Sequence, residues 1–141
     1  MKLALTEAAR ALESGEVPVG AVVVCENRVI AKAHNQVEQL NDVTAHAEML
    51  AITAAQNYLS SRYLDQCTLY VTLEPCPMCA GALFWSQIQK IVFAAADEKK
   101  GYQNLKERVL HPRTEVVSGL LASDSEKLLK SFFDRMRRNN S

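Results

Sequence analysis

Apolar residues recur at helical spacing from the start of the chain, at Leu3, Leu5, Ala8, Ala9 and Leu12, and the pattern stops at Ser14-Gly15, which predicts an amphipathic first helix. The period then changes. Val19 to Cys25 is nearly all β-branched or small, and Val29 to Ala33 follows across Glu26-Asn27-Arg28, which predicts a hairpin whose first strand is buried on both faces. Polar residues from Asn35 to Asp42 read as a loop, and Thr44 is a candidate cap for a helix beginning near His46, with Met49, Leu50, Ile52 and Thr53 along one face as far as Tyr58. Thr68 to Leu73 reads as a strand, Glu74-Pro75 breaks it, and Pro77 suits the first turn of a helix running to about Gln87. Ile91 to Ala95 is a further strand, Asp97 to Asn104 a loop with room for a short helix after it, and Glu115 to Val117 a last short strand. Ser123-Asp124 then caps a final helix with Leu128, Leu129, Phe132, Phe133 and Met136 on its apolar face, and Lys127, Lys130, Arg135, Arg137 and Arg138 elsewhere.

A hairpin followed by strand-helix-strand units implies right-handed crossovers and mainly parallel pairing after the hairpin, an α/β sheet covered by helices on both faces. Sites in such sheets form beyond the carboxyl ends of the strands. No repeat, linker or low-complexity segment interrupts the pattern, and 141 residues fit a single domain spanning 1–141.

Charge and cysteine content narrow the classes. With 16 basic and 16 acidic residues the formal net charge is zero, so a nucleic acid would have to be met by a local patch, and the basic C-terminal end is one. Glu7, Arg10, Glu13 and Glu16 inside the first apolar pattern exclude a secretory signal, and no apolar run approaches membrane-spanning length, so a cytoplasmic location with no membrane partner is expected. The four cysteines are then expected to be reduced; Cys25 and Cys67, at the edges of β-like runs, read as small buried hydrophobes.

Cys76 and Cys79 are different, because a C-x-x-C pair in that setting reads as metal-binding or redox-active. Two clusters, His46-Ala47-Glu48 and Pro75-Cys76-Pro77-Met78-Cys79, each fall where a helix is expected to start after a strand, so they can converge. In a first helical turn the sulfurs of Cys76 and Cys79 face the same side, and the positive end of the helix favours their thiolates. His46 completes a Cys₂His set for zinc, with a water in the fourth position that loses a proton near neutral pH. Glu48 diverges from His46 on a regular helix, so it fits a general acid/base that carries a proton from that water to a departing nitrogen. Structural zinc sites share the C-x-x-C signature, yet they need four closed protein ligands, and only His34 lies close to either cluster as a further candidate.

These residues resemble the zinc nucleobase deaminase motif, His-x-Glu followed by Pro-Cys-x-x-Cys. The resemblance extends along the chain: Glu16-Val17-Pro18-Val19-Gly20-Ala21-Val22, Thr44 to Glu48, Leu69 to Cys76, Met78 to Ala82 and the tail Phe132-Phe133 with Arg135-Met136-Arg137-Arg138 are similar to bacterial tRNA-specific adenosine deaminases. It implies a three-layer α/β/α cytidine deaminase-like fold with a central five-stranded mixed sheet, one zinc per subunit, a homodimer, and conversion of the wobble adenosine of a tRNA anticodon loop to inosine. It further implies that Asn35 binds the target base, and that Asp97, Lys99, Lys100, Arg135, Arg137 and Arg138 contact the RNA. Trp85 and Gln87 stand where many tRNA deaminases carry histidine and arginine, and related guanine deaminases place a tryptophan at the former position. Val43 replaces a usual proline, and Asp134 adds a residue ahead of the arginines. A small-molecule guanine or cytosine/cytidine deaminase is therefore the alternative, and a zinc-stabilised RNA-binding module without turnover is a third.

Overall fold

The structure, a computed structural model, describes residues 1–140. Helix α1 (Lys2–Glu13) leads into the hairpin β1 (Gly20–Cys25) and β2 (Arg28–His34), then a one-turn helix α2 (Val37–Leu40) and α3 (Ala47–Leu59). Strand β3 (Cys67–Leu73), helix α4 (Pro77–Ser86) and strand β4 (Lys90–Ala95) form a crossover unit, and β5 (Glu115–Ser118) and α5 (Ala122–Asn139) close the chain.

The sheet has the order β2-β1-β3-β4-β5. β3, β4 and β5 are parallel as expected, whereas β1 pairs antiparallel with β3 as well as with β2. The parallel expectation therefore holds only on one side of β3, because β1 fills the sheet's interior instead of its edge. The turn at Glu26-Asn27 has φ of 52° and 63°, the geometry that two-residue hairpin turns need.

Alternation along the strands sorts the residues into two layers. Val23, Leu69, Val71, Ile91 and Phe93 pack in one apolar cluster with Ala51, Ile52 and Ala55 of α3 and Ala80 and Leu83 of α4. The intervening Val22 and Val92 are buried with Ala4, Ala8 and Phe132 outside that cluster, on the side of α1 and α5. Both faces of the central strands are thus covered, giving the three-layer α/β/α arrangement. A Cβ on Gly20 would overlap the backbone of Ala4 and Ala8, so glycine is what lets α1 settle this closely on β1. Thr72 ties the layers together: its hydroxyl accepts the Gly20 N–H at 3.1 Å and its carbonyl accepts the Ser125 hydroxyl.

Several local expectations are corrected. The polar stretch after β2 contains α2, because the buried carboxylate of Glu16 accepts the N–H groups of Glu38 and Gln39 at 3.0 and 2.8 Å and caps it from a distance. Thr44 does not cap α3; its N–H and hydroxyl both bond to Asp42, and His46 occupies the cap position. The buried face of α3 is Ala47, Glu48, Ala51, Ile52 and Ala55, while Thr53 is exposed. The last helix starts at Ala122, and Ser125 is buried against β3. The short helix near Asn104 is a 3₁₀ turn, Tyr102–Asn104, inside the loop. β5 is an edge strand of four residues, all exposed, and among the described residues no helix is long and apolar enough to cross a membrane.

Candidate active site

The sequence places His46 and Cys76 each in extended backbone immediately before a helix, and the fold brings those two helix starts together. Pro77 opens α4, where its missing N–H is no loss, and Cys79 follows in the first turn. His46 Nδ1 lies 3.6 Å from the sulfurs of both Cys76 and Cys79, and the three ligand atoms all fall within 4.8 Å of one another. A single ion could be held by all three. Among the described residues this is the only such group of histidine, cysteine or acidic side chains.

The electrostatics suit a cation. The hydrogen bond from Cys79, followed by the one from His46, pulls the Cys76 thiol down to about 4 despite its partial burial. The same contact with Cys76, together with burial and the charge of Glu48, pushes the Cys79 thiol upward. Two thiolates side by side repel one another, so the pair retains one proton unless a positive charge sits between the sulfurs. His46 is raised chiefly by its bond to Cys76. Thiol and imidazole donors of this kind are borderline-soft ligands of the sort zinc takes.

Glu48, at the second position of α3, is 4% exposed, and burial pushes its carboxyl up to about 7 against the lowering effects of backbone hydrogen bonding and His46. Asn35 is buried beside it, and its side-chain oxygen accepts the N–H of Ala47 at 2.7 Å, one of the donors that a helix start leaves unpaired. That bond fixes the amide's orientation and turns its NH₂ donors elsewhere. His34 stands apart from the trio: its ring bonds at 3.1 Å to Glu7, which also pairs with Arg10.

The loop from Asp97 to Asn104 lies directly alongside. Tyr102 donates its N–H to the Pro75 carbonyl at 2.9 Å, next to Cys76. The Asp97 carboxylate accepts the N–H groups of Lys99 and Lys100, whose side chains are exposed. What holds this loop was not anticipated. Glu74, 4% exposed, accepts the N–H of Asp97 with one oxygen and that of Gln103 with the other, at 3.1 and 3.0 Å. Gly101 passes so close to this carboxylate that a Cβ there would overlap it. An acid ending an otherwise apolar strand was the available signal. The remaining basic residues are on α5, which packs on β4, β3 and α1: Arg135 and Arg138 are exposed, and Arg137 pairs with Asp134.

Comparison with known proteins fixes the class first. Residues 1–137 match the family model described as MafB19-like deaminase, a match that spans the sheet, the helices and both site clusters. A protein of Aquifex aeolicus (strain VF5) described as a tRNA-specific adenosine deaminase is 51% identical over 144 residues, covering 99% of this chain and 95% of its own length. A Bacillus subtilis (strain 168) protein of the same description is 46% identical, covering 98% and 89%. Within the deaminases, then, the chain belongs to the tRNA-specific adenosine deaminase family. Among solved structures, one from a study of A-to-I editing by tRNA:A34 deaminases superposes with a TM-score of 0.86 at 43% identity, over 92% of this chain and 97% of that one. The guanine deaminase of Nitrosomonas europaea superposes with a TM-score of 0.83 at 28% identity, over 93% and 81%.

Proposed function

We propose that the chain hydrolyses adenosine to inosine at the wobble position of a tRNA anticodon, with zinc held by His46, Cys76 and Cys79. It does so as one domain in the cytoplasm. The observation that carries this reading is the buried Glu48 carboxyl, raised to about 7, set beside three side chains whose ligand atoms lie within 4.8 Å. Zinc, when bound, supplies a Lewis acid that makes water an effective nucleophile at neutral pH. Glu48 accepts the proton of the attacking water in its ionised form and delivers it to the C6 amino nitrogen, which departs as ammonia. Burial, which raises this carboxyl above the usual carboxylate range, suits it both to take a proton and to give it up again. Asn35, with its oxygen occupied by Ala47, offers its NH₂ donors to an acceptor on the base. An unpaired anticodon base reaches such a pocket without the cost of opening a duplex. Asp97, Lys99 and Lys100 beside the site, with Arg135, Arg137 and Arg138 on α5, take the flanking RNA backbone.

The same reading includes a homodimer. Met49, Ile52, Tyr63, Phe84 and Trp85 line a groove of about 590 Å³ between α3 and α4. Trp85 is 77% exposed there, edge-on to Phe84, and a second copy covering this apolar face would bury it. Trp85 was the residue that motivated a guanine deaminase. Its side chain is held outward at the far end of α4 from Cys76, so it supports an interface rather than a substrate contact.

The test is direct. Zinc-loaded protein incubated with a transfer RNA bearing adenosine at the wobble position is expected to yield inosine, and guanine in a parallel incubation no ammonia. Ammonia from guanine at a rate indifferent to added tRNA, with no inosine formed, would overturn the proposal.

A further inference from the structure

The two cysteines that the site does not use stand opposite one another. Cys25 ends β1, Cys67 begins β3, and they are direct partners in the antiparallel register. The two-residue turn at Glu26-Asn27 is flanked by a hydrogen-bonded pair, so Cys25 turns its backbone groups toward Arg28 on β2. Cys67 gives its own N–H to the Leu64 carbonyl at 3.0 Å. The two therefore face each other as a non-hydrogen-bonded pair, whose Cα atoms stand about 4.5 Å apart and whose side chains approach most closely. That spacing lies inside the range of about 4.4–6.8 Å that a disulfide spans.

We propose that Cys25 and Cys67 form a redox-active dithiol, which a hydroperoxide converts into a cross-strand disulfide at the end of the sheet remote from the metal ligands. The roles of the two sulfurs differ. Cys25 is half-buried at a cavity of about 490 Å³ lined also by Arg28, Tyr58, Tyr63 and Asp65, whereas Cys67 is 1% exposed beneath it. A peroxide meets Cys25 first. Burial, then the hydrogen bond that the Cys67 thiol donates to Cys25, pushes the Cys67 thiol up to about 12, so Cys67 waits as a thiol until its neighbour becomes electrophilic. No third histidine, cysteine or acid joins this pair in a metal-sized group among the described residues.

The steps balance. The Cys25 thiolate attacks the terminal peroxide oxygen, the O–O bond breaks, and the alkoxide or hydroxide leaves and is protonated, with Cys25 now a sulfenic acid. The Cys67 sulfur attacks the Cys25 sulfur, the S–O bond breaks, and hydroxide departs with the Cys67 proton as water. Two thiols are oxidised and one peroxide is reduced. Seven residues of β3 at about 3.3 Å each separate this chemistry from Cys76 by roughly 20 Å.

Zinc-loaded protein is treated with a few equivalents of hydrogen peroxide, alkylated under denaturing conditions and mapped by mass spectrometry. The expected result is a peptide containing Cys25 joined to one containing Cys67, with zinc content unchanged and a thermal midpoint several degrees higher, as cross-linking a long loop gives. C67S, and C67A in case serine disturbs the core, are expected to stop at a Cys25 sulfenic acid that a dimedone-type reagent traps. C25S is expected to leave Cys67 reduced at the same dose. Full alkylation of both thiols in the oxidised wild type, or Cys25 driven to sulfinic acid without a link, would overturn the proposal. So would linkage confined to Cys76 and Cys79.

Discussion

A single carboxyl decides what the metal group can do. Glu48 sits in the first turn of α3, two residues after His46, the extended residue that caps the helix, and burial pushes its carboxyl up to about 7. Glu48→Gln keeps the volume and removes the proton carrier. Inosine formation in single turnover is expected to fall by at least ~10², with zinc stoichiometry and the circular dichroism spectrum retained; an unchanged rate would remove Glu48 from the reaction. Gly20 is the corresponding residue for stability. Gly20→Ala forces α1 away from β1, since its Cβ meets backbone that cannot rotate aside. A loss of about 1–3 kcal/mol in unfolding free energy, read from a lower denaturant midpoint, is expected, in line with overpacking. Neither the depth of Glu48 nor the pressure on Gly20 is visible in spacing alone, because both are set by what the opposite layer contributes.

Elements with a local cause were legible, and those with a distant one were not. The first helix, the hairpin and the start of α4 follow from period, turn residues and Pro77, and the structure places them within a residue or two of expectation. The two clusters were readable as helix starts for the same reason. The helix α2 escaped because its cap is Glu16, which lies more than twenty residues earlier. The antiparallel seam between β1 and β3 escaped because strand order is chosen by packing across the sheet and not by any one segment's pattern. Glu74 belongs with these, since its partners are the amides of a loop beyond the next strand. Glu74→Ala leaves two loop N–H groups without acceptors, at about 1–3 kcal/mol for each that remains buried. Amide exchange at Asp97 and Gln103 is expected to quicken and tRNA turnover to drop, while zinc remains; slow exchange in the variant would show that the loop is held by other means.

At the scale of the whole molecule the charge is balanced and the partners are met locally. RNA affinity is expected to fall with salt along a log–log slope of about −0.7 per phosphate contacted in a single strand, and K99A to make that slope shallower. A slope that no basic substitution alters would exclude these residues from the interface. Trp85→Asp places a charge on the groove between α3 and α4, and light scattering is expected to report a monomer with an unaltered far-ultraviolet spectrum. A dimer that survives the substitution must be built on another face. The sheet also has a free margin at β5, where Val116 and Val117 are more than a third exposed. With net charge zero the molecules do not repel one another in concentrated solution. What prevents them from zipping together there is brevity, since four residues give an intruding strand too few backbone partners to hold on to. Lengthening that margin would be felt as turbidity in the tube long before it was felt as lost turnover.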